Sequence, residues 1–222
     1  IQMKTIEITG RGELSLHPDT TEITLSTEGT YPSYDEALEK SAEETQELAS
    51  LFSALGFSAE ALKTLDFGID TAYETYEENR VYKKRLLGYR FTHQRKIAFP
   101  SDNARLGKIL YALAHSSVKS EFEISYTVKD KKAATDRLLA CAVGDAKKKA
   151  ALLTEAAGVT LGEIQNIRYA FDSIDMTIRP MRSACLKERA TVSYGSAESY
   201  PMSIEPDDIR ISDTVTVLWE IG

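Results

Sequence analysis

Residues 8–26 read ITGRGELSLHPDTTEITLS, and this stretch decides the fold class. Apolar side chains alternate on either side of its centre, at Leu14 and Leu16 and again at Ile23 and Leu25. A period of two, with Thr and Ile in the run, is typical of half-buried β-strands. The central His-Pro-Asp is turn chemistry, because proline removes a hydrogen-bond donor and aspartate can bond the neighbouring main chain. The stretch therefore predicts two strands joined as a hairpin.

The two glycines of the stretch, Gly10 and Gly12, raise the question of a phosphate site. A phosphate cradle needs a glycine-rich loop that leads into a helix, because the free N–H groups of the first helical turn hold the anion. Here the glycines lead into a strand. Glycine within a strand marks a β-bulge or a close approach of another segment to the main chain, and we predict this structural role.

Capping signals and periodicity predict the remaining elements. Ser33 and Glu36 form a capping box that begins a helix, and Gly56 ends it. A charged, tyrosine-rich connection around Asn79 predicts the tip of a second hairpin. The predicted buried stripe of the first helix is Leu38, Leu48, Phe52 and Leu55. A long later helix carries a stripe of mostly small residues that would let it lie close on a sheet: Leu139, Ala142, Val143, Ala146, Ala150, Leu153 and Ala157.

The element order is ββαββαβαβ, followed by a long loop and a final strand. This order predicts an α+β fold, mostly antiparallel sheet with long hairpins and three main helices packed on its faces. We expect one domain over residues 3–222, or two intertwined subdomains, with an irregular loop at 172–207. The other predicted strands lie at 63–76, 86–99, 121–128, 161–171 and 209–221. The later helices are predicted at 102–115 and 130–157, capped by Asp102 and Asp130.

Composition excludes several classes of function. The 222-residue chain has a formal net charge of −7 and a pI near 5.2, which argues against nucleic-acid binding and against anionic membrane surfaces. No apolar run is long enough to span a membrane as a helix, so we expect no membrane insertion. Met3 is interpreted as a native start without a signal peptide, which predicts a cytoplasmic protein; the alternative is an exported or periplasmic protein whose signal was removed. Cys141 and Cys185 form no motif.

No residue pattern in the sequence is typical of an enzyme active site. His17, His93 and His115 lie in different predicted elements and lack the paired spacing of metal ligands, so we expect no metal and no cofactor. A nucleophile elbow is absent, and the acidic pairs Glu43–Glu44 and Glu77–Glu78 are predicted to be solvated. The chain is therefore predicted to be non-enzymatic, with no catalytic residues, and an undetected active site is the least favoured alternative.

Two clusters are candidates for an interaction surface. Tyrosine suits cross-strand packing and also interfaces, where its ring is buried and its hydroxyl stays wet, and methionine suits adaptable surfaces. Both clusters are consistent with self-association into a homo-oligomer or with an unknown protein partner. The alternative is a small-ligand or peptide cleft under the long loop. The candidate residues are Tyr73, Tyr76, Tyr82, Met176, Met181 and Met202.

Four stretches, in this order along the chain, resemble the SIMPL-domain family, named for a signalling molecule that associates with mouse pelle-like kinase. They are the ITGRGELSLHPD opening, the LGYR strand start at 87–90, the alanine-rich helix DAKKKA at 145–150 with its AGV and LGEI exit, and the closing EPDDI…SDTVTV. The motif residues are Gly10, Gly12, Pro18, Asp19, Gly88, Tyr89, Ala146, Ala150, Gly158 and Gly162.

The resemblance covers almost the whole chain. It implies a fold but no particular reaction. It implies a bacterial protein similar to cytoplasmic members from Gram-positive bacteria, and it supplies no catalytic residues to carry over. It also implies that some relatives assemble into large rings. A role in oxidative stress rests on family analogy alone.

Overall fold

The computed structural model describes residues 4–170, 173–183 and 199–222, and within them it has eight strands and three helices. No helix among these residues is both long and apolar enough to cross a membrane. The strands are β1 (Thr5–Leu16), β2 (Thr20–Tyr31), β3 (Lys63–Glu78), β4 (Val81–Pro100), β5 (Glu121–Thr127), β6 (Leu161–Arg168), β7 (Thr177–Ser183) and β8 (Ile209–Ile221). The helices are α1 (Tyr34–Ala54), α2 (Asn103–Ala114) and α3 (Lys131–Ala157). The predicted α+β class is confirmed.

The chain divides into two compact units, each assembled from separated segments. The first unit comprises Ile1–Asp19, Thr127–Ile178 and Asp207–Gly222. The second comprises Thr20–Tyr126 and Arg179–Pro206.

In the first unit, α3 packs on a three-stranded sheet with the strand order β1-β8-β6. Strands β1 and β8 are antiparallel over their full length, from Thr5 opposite Glu220 to Leu16 opposite Ile209. Alternate β8 side chains face the helix and are buried, as their period of two requires. The core against α3 is formed by Ala142, Ala146, Ala150, Val215, Val217 and Trp219.

The glycines of β1 are contact points for α3. A methyl group built on Gly10 would lie 2.1 Å from the carbonyl oxygen of Ala142, and one on Gly12 would lie 2.3 Å from that of Leu138. The Arg11 N–H between them donates to the Asp145 carboxylate at 2.8 Å. The glycines therefore mark a close main-chain approach of α3 to β1, as predicted. A side chain of the helix also accepts a hydrogen bond from a main-chain N–H group of the strand.

In the second unit, five strands are ordered β3-β4-β2-β5-β7. Ser33 and Asp102 cap α1 and α2 by accepting main-chain N–H bonds, as their sequence signals predict. The two helices bury apolar side chains against β2, β4 and β5. Their shared core is Ile23, Leu25, Leu48, Phe52, Ile97, Phe99, Leu106, Ile109, Leu110, Leu113, Val118, Phe122, Ile124 and Tyr126.

The predicted β1–β2 hairpin is wrong, because the two strands belong to different sheets. The turn between them redirects the chain instead. Pro18 is buried, the Asp19 N–H donates to the Thr127 carbonyl at 3.1 Å, and the Asp19 carboxylate accepts from the Lys129 N–H at 2.8 Å. Alternation identified both strands correctly, but it does not encode which strand each one pairs with.

Four further expectations need correction. The predicted irregular loop at 172–207 contains β7, the last strand of its sheet among the described residues. Its Pro180 obscures the alternating pattern, and proline is tolerated in an edge strand. Leu38 was assigned to the buried stripe of α1 but is 44% exposed, because α1 lies mainly over β2 and β4. Leu153 and Ala157 of the predicted α3 stripe are also exposed, and Thr154 is buried in that region instead. Strand β6 ends at Arg168, short of the predicted residue 171.

Replacing Gly10 with alanine should destabilise the fold strongly, because the new methyl group collides with helix main chain that cannot rotate away. Overpacking of this kind costs about 3 kcal/mol of the free energy of unfolding. Chemical denaturation monitored by circular dichroism measures the change.

Gly144→Ala is the matched control on α3. A methyl group at Gly144 meets nothing within 4 Å. Alanine also favours a helix interior, so this variant should be stabilised by about 0.5–1 kcal/mol. Equal losses in both variants would show that the close approach at Gly10 is not the cause.

Candidate functional site

The β3–β4 hairpin extends beyond the rest of its sheet. β2 accompanies β4 only from Thr20 opposite Pro100 to Tyr31 opposite Tyr89. Beyond that point, residues 73–87 form a two-stranded ribbon, which we call the distal ribbon. Its tip is a two-residue turn in which Asn79 and Arg80 have φ of 55° and 63°, as in the tight turns that join twisted strands. The predicted hairpin tip at Asn79 is confirmed.

One face of the distal ribbon, which we call its apolar face, carries three large apolar side chains that the rest of the described chain leaves exposed. Tyr73 lies opposite Leu86, and Tyr82 lies on the same face near the tip, opposite Glu77. The exposed fractions of Tyr73, Leu86 and Tyr82 are 59%, 53% and 76%. Lys84 stands between them on this face, opposite Thr75.

The other face of the distal ribbon is held by charge. Arg85 pairs with Glu74, and Lys83 pairs with Glu78, both across the two strands. The Arg85 guanidinium lies 5.6 Å from the ring centre of Tyr76, which is the least exposed of the three candidate tyrosines. Tyr76 therefore belongs to the ion-paired face, whereas Tyr73 and Tyr82 belong to the apolar one.

The candidate methionines do not extend this surface. Met176 is 3% exposed and packs with Leu138 in the core of the first unit. Met181 and Met202 are half-buried against the core of the second unit. The structure thus places these three side chains in hydrophobic packing. Cys185 and the rest of 184–198 lie outside the described residues.

The family-motif residues shape the main chain. Gly88 has a φ of 143°, and a methyl group on it would lie 2.1 Å from the Tyr31 carbonyl oxygen, so it lets β4 pass the end of β2 where the distal ribbon begins. Its neighbour Tyr89 makes an edge contact with the Tyr34 ring at 6.1 Å. Gly158 ends α3 in the left-handed conformation. Gly162 lies against Glu220, and a methyl group built on Gly162 would come 3.0 Å from the Glu220 carbonyl oxygen.

A shallow groove lies between α1 and β3, and we call it the α1–β3 groove. It exists because α1 covers β2 and β4 and leaves the edge strand largely bare. Its volume is about 400 Å³ and most of it is open to solvent. The exposed side chains of Leu38 and Phe67 face each other across it. Its remaining lining residues are Ser41, Ala42, Thr45, Gln46, Ala49 and His93.

The floor of the groove is a buried polar network around His93 and Arg95, which are 8% and 1% exposed. The Arg95 Nη2 group donates to His93 Nδ1 at 2.6 Å. Because a guanidinium can only donate, Nδ1 is the acceptor, so Nε2 carries the proton and donates to Thr64 Oγ1 at 3.0 Å. Arg95 also donates to Thr27 and Thr45.

Burial governs the electrostatics of this network. Loss of solvation, together with the positive charge of Arg95, lowers the pKa of His93 to about 4. Burial also raises the pKa of Glu44, whose Oε2 atom, like Arg95 Nε, has no hydrogen-bond partner among the described residues. The prediction that Glu44 is solvated was therefore wrong. Arg95 was not predicted, although its position between His93 and Ile97 in an alternating strand places it on the buried face.

The histidine contacts are structural in character. Ser41 Oγ lies 3.2 Å from His93 Nδ1, but Arg95 already occupies that lone pair, so His93 is poorly placed to take a proton from Ser41. In the first unit, Asp208 bonds both Ser15 and His17, so the serine hydroxyl donates to the carboxylate and not to the histidine. Within the described ranges, no group of three or more His, Cys, Asp or Glu residues is arranged to hold a metal ion.

Comparison with known proteins identifies the family. The family model described as "SIMPL: Protein of unknown function (DUF541)" matches residues 6–219. This match covers nearly the whole chain, and the chain belongs to the SIMPL family. No curated protein matches it significantly. The resemblance seen in the sequence motifs is thereby confirmed, and the family description itself assigns no function.

The lowered pKa of His93 predicts a specific acid sensitivity. Between the ordinary pKa of 6.5 and the folded value of about 4, the unfolded chain binds more protons at this site than the folded chain. Stability contributed by neutral His93 is therefore complete above pH 6.5 and falls as the pH drops towards 4, by at most about 3 kcal/mol. His93→Gln should remove this part of the pH dependence, as measured by urea unfolding across that range.

His17, which is 76% exposed, supplies the control. His17→Gln removes a histidine without touching the buried network and should leave the acid loss of stability in place. If His93→Gln and the wild type lose the same stability on acidification, then His93 is not the source of that sensitivity.

Proposed function

We propose that this protein acts by binding protein chains, beginning with a second copy of itself, through the apolar face of the distal ribbon. The observation that carries the proposal is the combination of Tyr73, Tyr82 and Leu86 on one exposed face of a ribbon to which no third strand pairs within the described residues. A two-stranded hairpin is only marginally stable alone in water, and exposed apolar patches rimmed by charge are typical of protein interfaces.

The two faces of the ribbon support this assignment. The cross-strand pairs Glu74–Arg85 and Glu78–Lys83 hold the strands in register without using the apolar face, which leaves that face available to a partner. Tyrosine is enriched at the centres of interfaces because its rigid ring buries a large area. The proposal is for a non-enzymatic role, and it is supported by the occupied lone pair of His93 and by the order of Ser15, Asp208 and His17.

The test is the solution mass, measured by size-exclusion chromatography with light scattering. We expect the wild type to exceed its 24.7 kDa monomer mass and Tyr82→Ser/Leu86→Ser to return towards it. Truncating two central side chains of an interface costs at least tenfold in affinity. Leu152→Ser, at a 67% exposed site on α3, is the control and should assemble like the wild type.

A wild-type protein that stays monomeric at high concentration would contradict the self-association proposal. So would an oligomer whose mass is unchanged by the ribbon substitutions while circular dichroism shows them to be folded.

A further inference from the structure

We infer that the α1–β3 groove of one copy receives the distal ribbon of another. This inference rests on the proposed function, since it names the surface on which the ribbon docks. The contact is head-to-tail: each chain offers its ribbon to one neighbour and its groove to a second.

The two surfaces match in apolar character. The ribbon face exposes Tyr73, Tyr82 and Leu86, and the groove exposes Leu38 and Phe67 on its two walls. Between those walls the α1 side is lined by small residues, including Ala42 and Ala49, which leave room for inserted side chains. Most of the groove is open to solvent, so it suits a protruding protein segment better than a small molecule, which needs to be mostly enclosed.

The two surfaces also match in charge. Helix α1 carries a single lysine, Lys40, which is already paired with Glu43 at 2.7 Å. Asp35 and Glu39 lie about one turn from the lining residues Leu38 and Ala42, so they stand beside the groove. The acidic residues of α1 are Asp35, Glu36, Glu39, Glu43, Glu44 and Glu47.

The ribbon brings the opposite sign. Lys84 and Glu77 stand on its apolar face and Arg80 at its tip, so a docked ribbon places two positive charges and one negative charge beside an acidic helix. Such complementarity fixes orientation and speeds association.

A chain cannot fill its own groove with its own ribbon. Phe67, on the groove wall, and Tyr73, at the base of the ribbon, lie on the same strand, and the six residue steps from one to the other span about 20 Å. The ribbon therefore leads away from the groove that its own strands help to form. Addition of a third strand at the β3 edge is opposed by the irregularity between Thr64 and Asp66 and by the charge of Asp66.

A complementation experiment tests the inference. The ribbon variant is Tyr82→Ser/Leu86→Ser, and the groove variant is Ala42→Lys, which places in the groove, at an exposed position, a long helix-favouring side chain whose charge repels Lys84 of the ribbon. A second groove variant, Phe67→Ser, guards against an effect peculiar to Ala42. Each variant is first checked for wild-type circular dichroism and then measured by light scattering, alone and in equimolar mixture.

We expect each variant alone to be monomeric, because each has lost one half of the contact. The mixture should form a one-to-one heterodimer, because the ribbon variant keeps an intact groove and the groove variant keeps an intact ribbon. Its mass should be twice the 24.7 kDa of the monomer, with no larger species.

Three results separate the inference from the proposal on which it rests. If both folded groove variants assemble like the wild type, the ribbon docks elsewhere, so the inference is overturned while the proposed function stands. If the variants are monomeric alone and do not combine in the mixture, the inference is also overturned. If the wild type itself is monomeric, both the inference and the proposed function fail.

Discussion

The contact on which the first unit depends is the main-chain approach of α3 to β1 at Gly10 and Gly12. Any side chain larger than hydrogen at these positions would overlap helix carbonyl oxygens, so the sequence has to combine two strand glycines with alanines at the facing helix positions. The approach also brings the Asp145 carboxylate to the Arg11 N–H, which satisfies a strand amide on the edge that β8 does not use. A feature that resembles a nucleotide-binding loop is thus a packing device, and the same spacing that suggested phosphate chemistry positions a helix instead.

Local signals in the sequence predicted local structure well. Ser33, Asp102 and Asp130 cap the three helices as expected, because capping depends only on residues a few positions apart. The partner of β1 was not predictable in this way, since pairing with β8 depends on residues about two hundred positions away. Strand β7 was missed because an edge strand needs neither strict alternation nor a full set of amides.

The candidate site was predictable only in part. The tyrosine-rich hairpin was recognised from composition, but its division into an apolar and an ion-paired face needs the register of β3 and β4. The exposure of Leu38 and the groove beside it could not be foreseen, because helical periodicity shows which side of a helix is apolar and not how far the sheet beneath it extends. Arg95, in contrast, was predictable. The alternation of β4 places its side chain on the buried face, and a charged residue at a buried position indicates a buried polar network.

The pairing of β1 with β8 has a consequence for synthesis. Among the described strands the ribosome makes β1 before the others and β8 after them, so β1 has no partner strand until β8 has been translated. Most of the second unit, Thr20–Tyr126, is continuous and is complete long before then. During that interval β1 has no partner strand along either edge. The charged side chains of Glu7, Arg11 and Glu13 discourage such an unpaired strand from pairing with a non-native strand.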